Sequence, residues 1–255
     1  MSLWLEHILA HALPIGLRTG GLMTFAPFFG DDGVPTRVKA SFALVLTAIL
    51  YGVCPVPEIK LEAANWTRLV ISEAGVGLLM GLSVRVVLEG MQVAGQLAGV
   101  QLGFSLAAII DPQTNIETPV LAVFHQMIAL LIFLQLDVHH WMLRAIVKSF
   151  DYLPAGTAMM TLGTVHELVR SAGAMWLIGV QVAAPILLAT MLVDLTVGFL
   201  SKASPQLPAL FIGISAKSLI GYLVLAAAAA LWPGILEGQF TNALGWSERM
   251  LRLAH

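Results

Sequence analysis

Charge is what this chain has least of: 13 Lys and Arg with 15 Asp and Glu make up 11% of 255 residues, against 58% apolar. An ordinary soluble domain is about one-quarter charged, and a water-facing surface cannot be covered with so few charges. Cysteine is scarcer still. A lone Cys54 excludes an intrachain disulfide and any multi-cysteine zinc site. A basic balance is lacking too: the net charge of −2 gives no ground for nucleic-acid binding, and no Lys/Arg cluster marks a lipid head-group patch. The opening MSLWLEHILAHALP has neither the positive n-region nor the small-residue cleavage site of a signal peptide. The first apolar helix is therefore expected to serve as its own insertion signal. No GxxxxGK[ST] is present to bind a nucleotide.

What is present is a series of long uncharged runs and a mean hydropathy of +0.87. Lys39 to Glu58 encloses 18 uncharged residues, Glu89 to Asp111 encloses 21, and Glu117 to Asp137 encloses 19. Arg170 to Asp194 encloses 23, and Lys217 to Glu237 encloses 19. Crossing the hydrocarbon core takes about 20 predominantly apolar residues. The reading is an all-α, polytopic helical membrane protein, because in lipid each backbone group must be paired within its own segment. The runs are too continuous in Leu, Ala, Val and Gly for barrel strands. Apolar segments are predicted at 13–30, 40–54, 69–84, 90–110, 118–136, 171–200 and 207–236. If all seven span, the Lys/Arg balance of alternate loops favours an outside N-terminus. Between them, 137–170 is the longest polar stretch. It opens with an amphipathic pattern in which Val138, Trp141, Met142, Ala145 and Ile146 share a face, and Pro154, Gly156 and Gly163 then break it.

Three constellations stand out. Gly95, Gly99 and Gly103 recur at four-residue spacing beside Gln92, Gln96 and Gln101, a pattern that lets helices pack closely. Gly16/Gly20 and Gly77/Gly81 repeat the spacing. Arg18, Glu73, Asp194 and Lys217 lie in or at the margins of apolar runs; their mixed signs favour internal pairs over an ion pathway. The polar insertion DPQTNIETP, 111–119, interrupts two apolar helices and reads as a connector or as a re-entrant plug.

Catalytic patterns are weak. Gly81-Leu82-Ser83-Val84 and Gly213-Ile214-Ser215-Ala216 both match a loose serine-protease pattern, with His125 as a conceivable base. His139 and His140 are adjacent, so they are expected to project differently, and HExxH is absent; His125 and Asp137 nearby leave a metal site conceivable but without the spacing that would mark one. Neither catalytic nor metal residues are assigned, and no cofactor.

Four stretches, taken in order, are similar to a known family: RTGGLMTFAPFFGDDGVPTRVKASFALVL (18–46), EAGVGLLMGLSVRVVLEGMQVAGQLAGVQLGFSLAAIIDPQ (73–113), FLQLDVHHWMLRAIVKSFDYLP (133–154) and SPQLPALFIGISAKSLIGY (204–222). They resemble the FliR family of flagellar export-gate components and its virulence SctT relatives. The chain departs from the family pattern at Leu207-Pro208, where relatives tend to carry Met-Asn or Leu-Asn.

The resemblance implies a non-enzymatic subunit: a FliP-like part, 1–170, followed by a FliQ-like helical hairpin, 171–255. FliP-like, FliQ-like and FlhB-like subunits would be partners, beside membrane lipid and unfolded export substrates. The place would be the bacterial inner membrane, in the flagellar basal body. Phe104, Ile109, Ile110, Asp111, Pro112, Gln113, Asn115 and Thr118 would form the plug of the closed conduit. The turn carrying Ser201, Lys202, Pro205 and Gln206 would face the cytoplasm and contact a partner, against the seven-span tally. A secondary transporter with midplane charges and an intramembrane enzyme are the alternatives.

Overall fold

A helix pairs backbone N–H and C=O groups locally, so it is the element a chain this apolar adopts most cheaply. The computed structural model describes residues 2–27, 29–30, 33–54, 56, 63–104, 120–204, 206 and 208–254. Among the described residues every regular element is an α-helix. They are α1 (Ser2–Phe25), α2 (Thr36–Leu50), α3 (Ala63–Gln101), α4 (Val120–Gln135), α5 (Val138–Tyr152), α6 (Leu162–Ala203), α7 (Ala209–Ala229) and α8 (Trp232–Leu253).

Three described helices are long and apolar enough to cross a membrane: 66–101, 162–203 and 211–229. The α4–α5 pair, bent by 64° at its break, makes a fourth if the two are one broken span. The protein is thus a polytopic helical membrane protein, but seven spans are not what the described residues carry. The segment predicted at 69–84 and the part of the one at 90–110 up to Gln101 run together as the 39-residue α3. Arg85 and Glu89, which divide them in sequence, both have interaction partners and do not end the helix. The 15 residues of α2 extend about 22 Å at 1.5 Å per residue, short of the roughly 30 Å hydrocarbon core.

The C-terminal end differs as well. The segment predicted at 207–236 stops at Ala229, and a separate helix starts at Trp232-Pro233, proline being at home in a helix's first turn. α8 buries Leu236, Phe240, Ala243, Ser247 and Met250, a stripe at steps of three and four. The amphipathic reading of 137–170 holds for α5, whose buried positions are Val138, Met142, Ile146, Ser149 and Phe150. Gly163, expected to break structure, instead lies in the first turn of α6.

The chain forms two compact units, interleaved along its length. Unit 1 comprises 1–87, 133–173 and 240–255. Its interior holds Ile15, Leu22, Val84, Ile146, Phe240 and Met250, with Phe133 edge-on to Phe240 at 5.7 Å between ring centres. The C-terminal turn is tied in by Met159 N donating to Ala254 O at 2.8 Å and Thr161 Oγ1 donating to Leu253 O at 2.8 Å. Unit 2 comprises 88–132 and 174–239. Met91, Ala98, Ala122, Ile178, Ile186 and Trp232 are buried there.

Candidate gate and helix-packing residues

Arg18 is the strongest polar fixture of unit 1. A guanidinium cannot shed its charge, so burial obliges the fold to satisfy its donors. Arg18 and Glu73 are both fully buried. The Arg18 Nε donates to Glu73 Oε2 at 2.5 Å, Nη1 to Ser149 Oγ at 2.7 Å, and Nη2 to the Leu153 carbonyl at 2.7 Å. The Phe150 ring lies 3.9 Å from the guanidinium carbon. Glu73 Oε1 also accepts from Gly156 N at 2.8 Å, in a turn where Gly156 takes a φ of 78°. One pair thereby joins α1, α3, α5 and the turn after α5.

The second charged pair, in unit 2, is built differently. Lys217 Nζ of α7 donates to Asp194 Oδ2 of α6 at 2.6 Å, but the Asp194 side chain is 54% exposed. Around it the two helices present Leu192, Leu195, Phe199, Phe211, Ile214 and Leu219 to the outside. The expectation of internal pairs therefore describes both pairs, and only the first is sealed.

Close helix packing is present, though mostly at other glycines than the trio singled out from sequence. A Cβ on Gly77 would run into the Arg18 backbone, one on Gly81 would lie 2.6 Å from Leu22 O, and one on Gly21 2.5 Å from Ala74 O. α1 and α3 thus cross backbone to backbone. In unit 2, a Cβ on Gly95 would sit 2.5 Å from Ala122 Cα, so α3 and α4 touch there. Gly99 meets only the Leu121 side chain, at 3.8 Å, an ordinary contact. Gly103 is not on the helix face at all: α3 ends at Gln101, and Gly103, with a φ of 89°, turns the chain away. Gly20 has open space, and Gly16 touches only the Thr47 side chain, at 3.4 Å.

Of the plug residues, Phe104 is described. It is 39% exposed and edge-on to Tyr222 of α7, 6.5 Å between ring centres. Ser218 Oγ donates to Leu102 O at 3.3 Å, and Leu102 lies so close to Gly221 that a Cβ there would overlap it. The base of the segment is therefore held on α7, while Gly95 against Ala122 brings its two flanking helices together. Ile109, Ile110, Asp111, Pro112, Gln113, Asn115 and Thr118 lie outside the described residues. In the partner-contact turn, Lys202 and Gln206 are exposed and Ser201 Oγ donates to Gly198 O at 2.9 Å; Pro205 lies outside the described residues.

The loose protease patterns find no support in the geometry. Ser83 Oγ donates to Met80 O at 2.8 Å. His125 Nδ1 bonds Leu121 O at 2.8 Å, its ring packs 4.7 Å from that of Trp232, and Nε2 meets no partner. Among the described residues no serine is hydrogen-bonded to that histidine. By contrast, His139 and His140 do not diverge as their adjacency suggested: their ring centres are 4.2 Å apart, and both lie beside Asp137.

Fold and site together define a helical membrane protein in which Arg18 pairs with Glu73 and Lys217 with Asp194. The family model for bacterial export proteins, family 1, matches residues 9–243. The chain is 28% identical over 244 residues to the flagellar biosynthetic protein FliR of Bacillus subtilis, covering 94% of each. It is 27% identical over 239 residues to the protein of that name from Escherichia coli, covering 94% of this chain and 91% of that one. A third relative so named, from Caulobacter vibrioides, is 27% identical over 214 residues, 82% of this chain and 84% of its own. The chain belongs to the FliR family of bacterial export proteins, and is a membrane-embedded component of flagellar export.

Proposed function

We propose that this chain is the FliR-type subunit of the flagellar export gate in the bacterial inner membrane. It joins FliP-like and FliQ-like subunits around a conduit for unfolded export substrates. Residues 1–170 take the FliP-like place and 171–255 the FliQ-like place. The turn with Ser201, Lys202, Pro205 and Gln206 faces the cytoplasm near an FlhB-like partner.

The observation that carries this reading, beside family membership, is the outer surface of α6 and α7. In its most apolar stretch α7 is only 17% buried within the chain, and α6 only 39%. An apolar surface alone would suit lipid. A half-exposed Asp194 set into it does not, because a charge in hydrocarbon costs about 2.5–3.5 kcal/mol at a helix centre. A protein neighbour supplying polar groups removes that cost. Glu73, which a transporter would need free, is saturated by Arg18 and Gly156 N.

Segment 104–118 is the plug. Its base is pinned by Phe104 on Tyr222 and by Leu102 on Gly221. Selectivity at such a plug rests on weak, multiple contacts, as permeation demands. Co-expression with FliP-like and FliQ-like subunits and purification in mild detergent tests the assembly. A stable complex is expected; a monodisperse monomer that captures neither would refute it. Deleting Gln113–Glu117 should leave complex yield unchanged and raise small-solute leakage. Unchanged leakage with full assembly reduces the segment to a connector.

A further inference from the structure

At the bend between α4 and α5, we propose that Asp137, His139 and His140 form a binding site for a divalent transition metal of the zinc type. The proposal stands apart from the export role and does not depend on it.

The bend is made by Asp137, which among the described residues is the single non-glycine with positive φ, at 55°. Left-handed backbone is uncommon for such a residue. Here it lets α5 begin at once, with His140 N donating to Asp137 O at 2.9 Å. An aspartate before a helix ordinarily accepts a bond from the first turn's backbone. The Asp137 side chain makes no such bond. It turns instead toward the two imidazoles, with Oδ1 at 3.3 Å from His140 Nδ1 and 3.8 Å from His139 Nε2.

Both imidazoles thus pair with the one carboxylate oxygen, while His139 Nδ1, the ring nitrogen that does not face it, is enclosed with no partner. One ligand atom from each residue lies within 4.8 Å of the other two. Zinc holds His nitrogen and carboxylate oxygen at about 2.0–2.2 Å, which places tetrahedral ligands roughly 3.3–3.6 Å from one another. The two measured separations bracket that range closely. The third needs at most about 1 Å of side-chain rotation to enter it, easy for groups this open.

Exposure of 42% for His139 and 58% for His140 leaves a path for the ion and room for water as a fourth ligand. Two imidazoles with one carboxylate select zinc, copper or nickel over calcium and magnesium, which prefer all-oxygen shells. His139 also borders an apolar cavity of about 280 Å³ lined by Leu22, Phe29, Phe42 and Met142.

The test uses the full chain, co-purified with its membrane partners through a tag other than polyhistidine. Cobalt(II) is the probe, because its visible absorption reports coordination geometry. One saturable, tetrahedral-type Co²⁺ per chain is expected, displaced by Zn²⁺. Asp137→Ala, His139→Ala and His140→Ala should each weaken binding at least tenfold, the order of loss seen when a metal shell is disturbed. His166→Ala, an exposed histidine elsewhere in unit 1, should not. Absence of a saturable Co²⁺ band in the unaltered protein overturns the proposal, even if no variant folds. So does binding that survives all three substitutions.

Discussion

The ion pairs Arg18–Glu73 and Lys217–Asp194 lie one in each compact unit, and they are not the same kind of object. Arg18–Glu73 is fully buried, and its nitrogen and oxygen atoms are committed to four further groups of unit 1: Ser149, the Leu153 carbonyl, Gly156 N and the Phe150 ring. Lys217–Asp194 is as short, at 2.6 Å, yet Asp194 is half exposed and the aliphatic surround faces outward. The distance between charges thus says little about their task. What separates the pairs is how many other groups they hold. The first organises a unit; the second leaves lone pairs for something outside the chain.

The comparison is broken most severely at Glu73. Glu73→Gln keeps the shape but strands the Arg18 guanidinium in the interior, and removing one member of a buried pair costs about 3–5 kcal/mol. Unfolding of the detergent-solubilised chain should show that loss. The double variant Arg18→Met with Glu73→Met should regain most of it, since no lone charge is left behind. A double variant as weak as the single would mean that the hydrogen-bonded links, not the charges, hold unit 1.

Next in size is the glycine crossing beneath the same pair. Gly77→Ala forces α1 and α3 apart at the Arg18 backbone and should cost about 1–3 kcal/mol, the usual range for overpacking. Gly20→Ala, two residues after Arg18 and in open space, should be neutral or add up to about 1 kcal/mol through helix propensity. In unit 2 the same contrast is expected between Gly95→Ala and Gly99→Ala. Thermal midpoints of the four variants decide it; equal shifts would remove the argument from close approach.

Asp194→Asn sharpens the comparison from the other side. A half-exposed pair contributes roughly 0–1 kcal/mol, so the isolated chain should unfold almost as before. Yield of the complex with FliP-like and FliQ-like subunits should fall instead. The reverse outcome, an unstable chain with normal yield once assembled, would make both pairs structural.

The smallest effect concerns Cys54, buried beside unit 1's core. Burial pushes its thiol up, the Asp151 carboxylate adds to the shift, and the Arg18 guanidinium opposes it. The nucleophilic thiolate is therefore scarce at neutral pH. Alkylation by a maleimide should be slow in the folded protein and speed up in Glu73→Gln, giving a chemical readout of the first prediction. Fast labelling of the unaltered chain would contradict the packing around it.

Much of the helical class was legible because hydropathy in a low-charge chain leaves few alternatives. Element boundaries were less so. Arg85 and Glu89 look like the end of one run and the start of another, yet a charge that has a partner does not stop a helix, and α3 continues through both. α8 is less legible although its stripe from Leu236 to Met250 keeps steps of three and four, because its charges, Glu237, Glu248, Arg249 and Arg252, interrupt the apolar run. Among the site residues, four-residue glycine spacing marks a face but cannot say what lies opposite. Gly95 faces a backbone, Gly99 a side chain, and Gly103 ends the helix. Gly77 and Gly81 shared the spacing and carried the tightest crossing. The nearness of Asp137 to both histidines was legible in sequence, but the convergence of their rings was not: adjacency implies divergence only while the backbone is regular, and Asp137 is not.

The wiring of Arg18 also sets a timetable. Its carboxylate lies 55 residues downstream, Ser149 lies 131 and the Leu153 carbonyl 135. At about 5–20 residues per second, the ribosome delivers Glu73 roughly 3–11 s after Arg18. Throughout that interval the nascent α1 holds a bare cation, and it cannot settle into an apolar site before α3 emerges. The last two acceptors arrive later still, so the network around Arg18 closes only when translation has passed the middle of the chain, and unit 1, which includes 240–255, closes after it. A variant at Glu73 makes that transient permanent, and quality-control proteases would meet it before any partner subunit does.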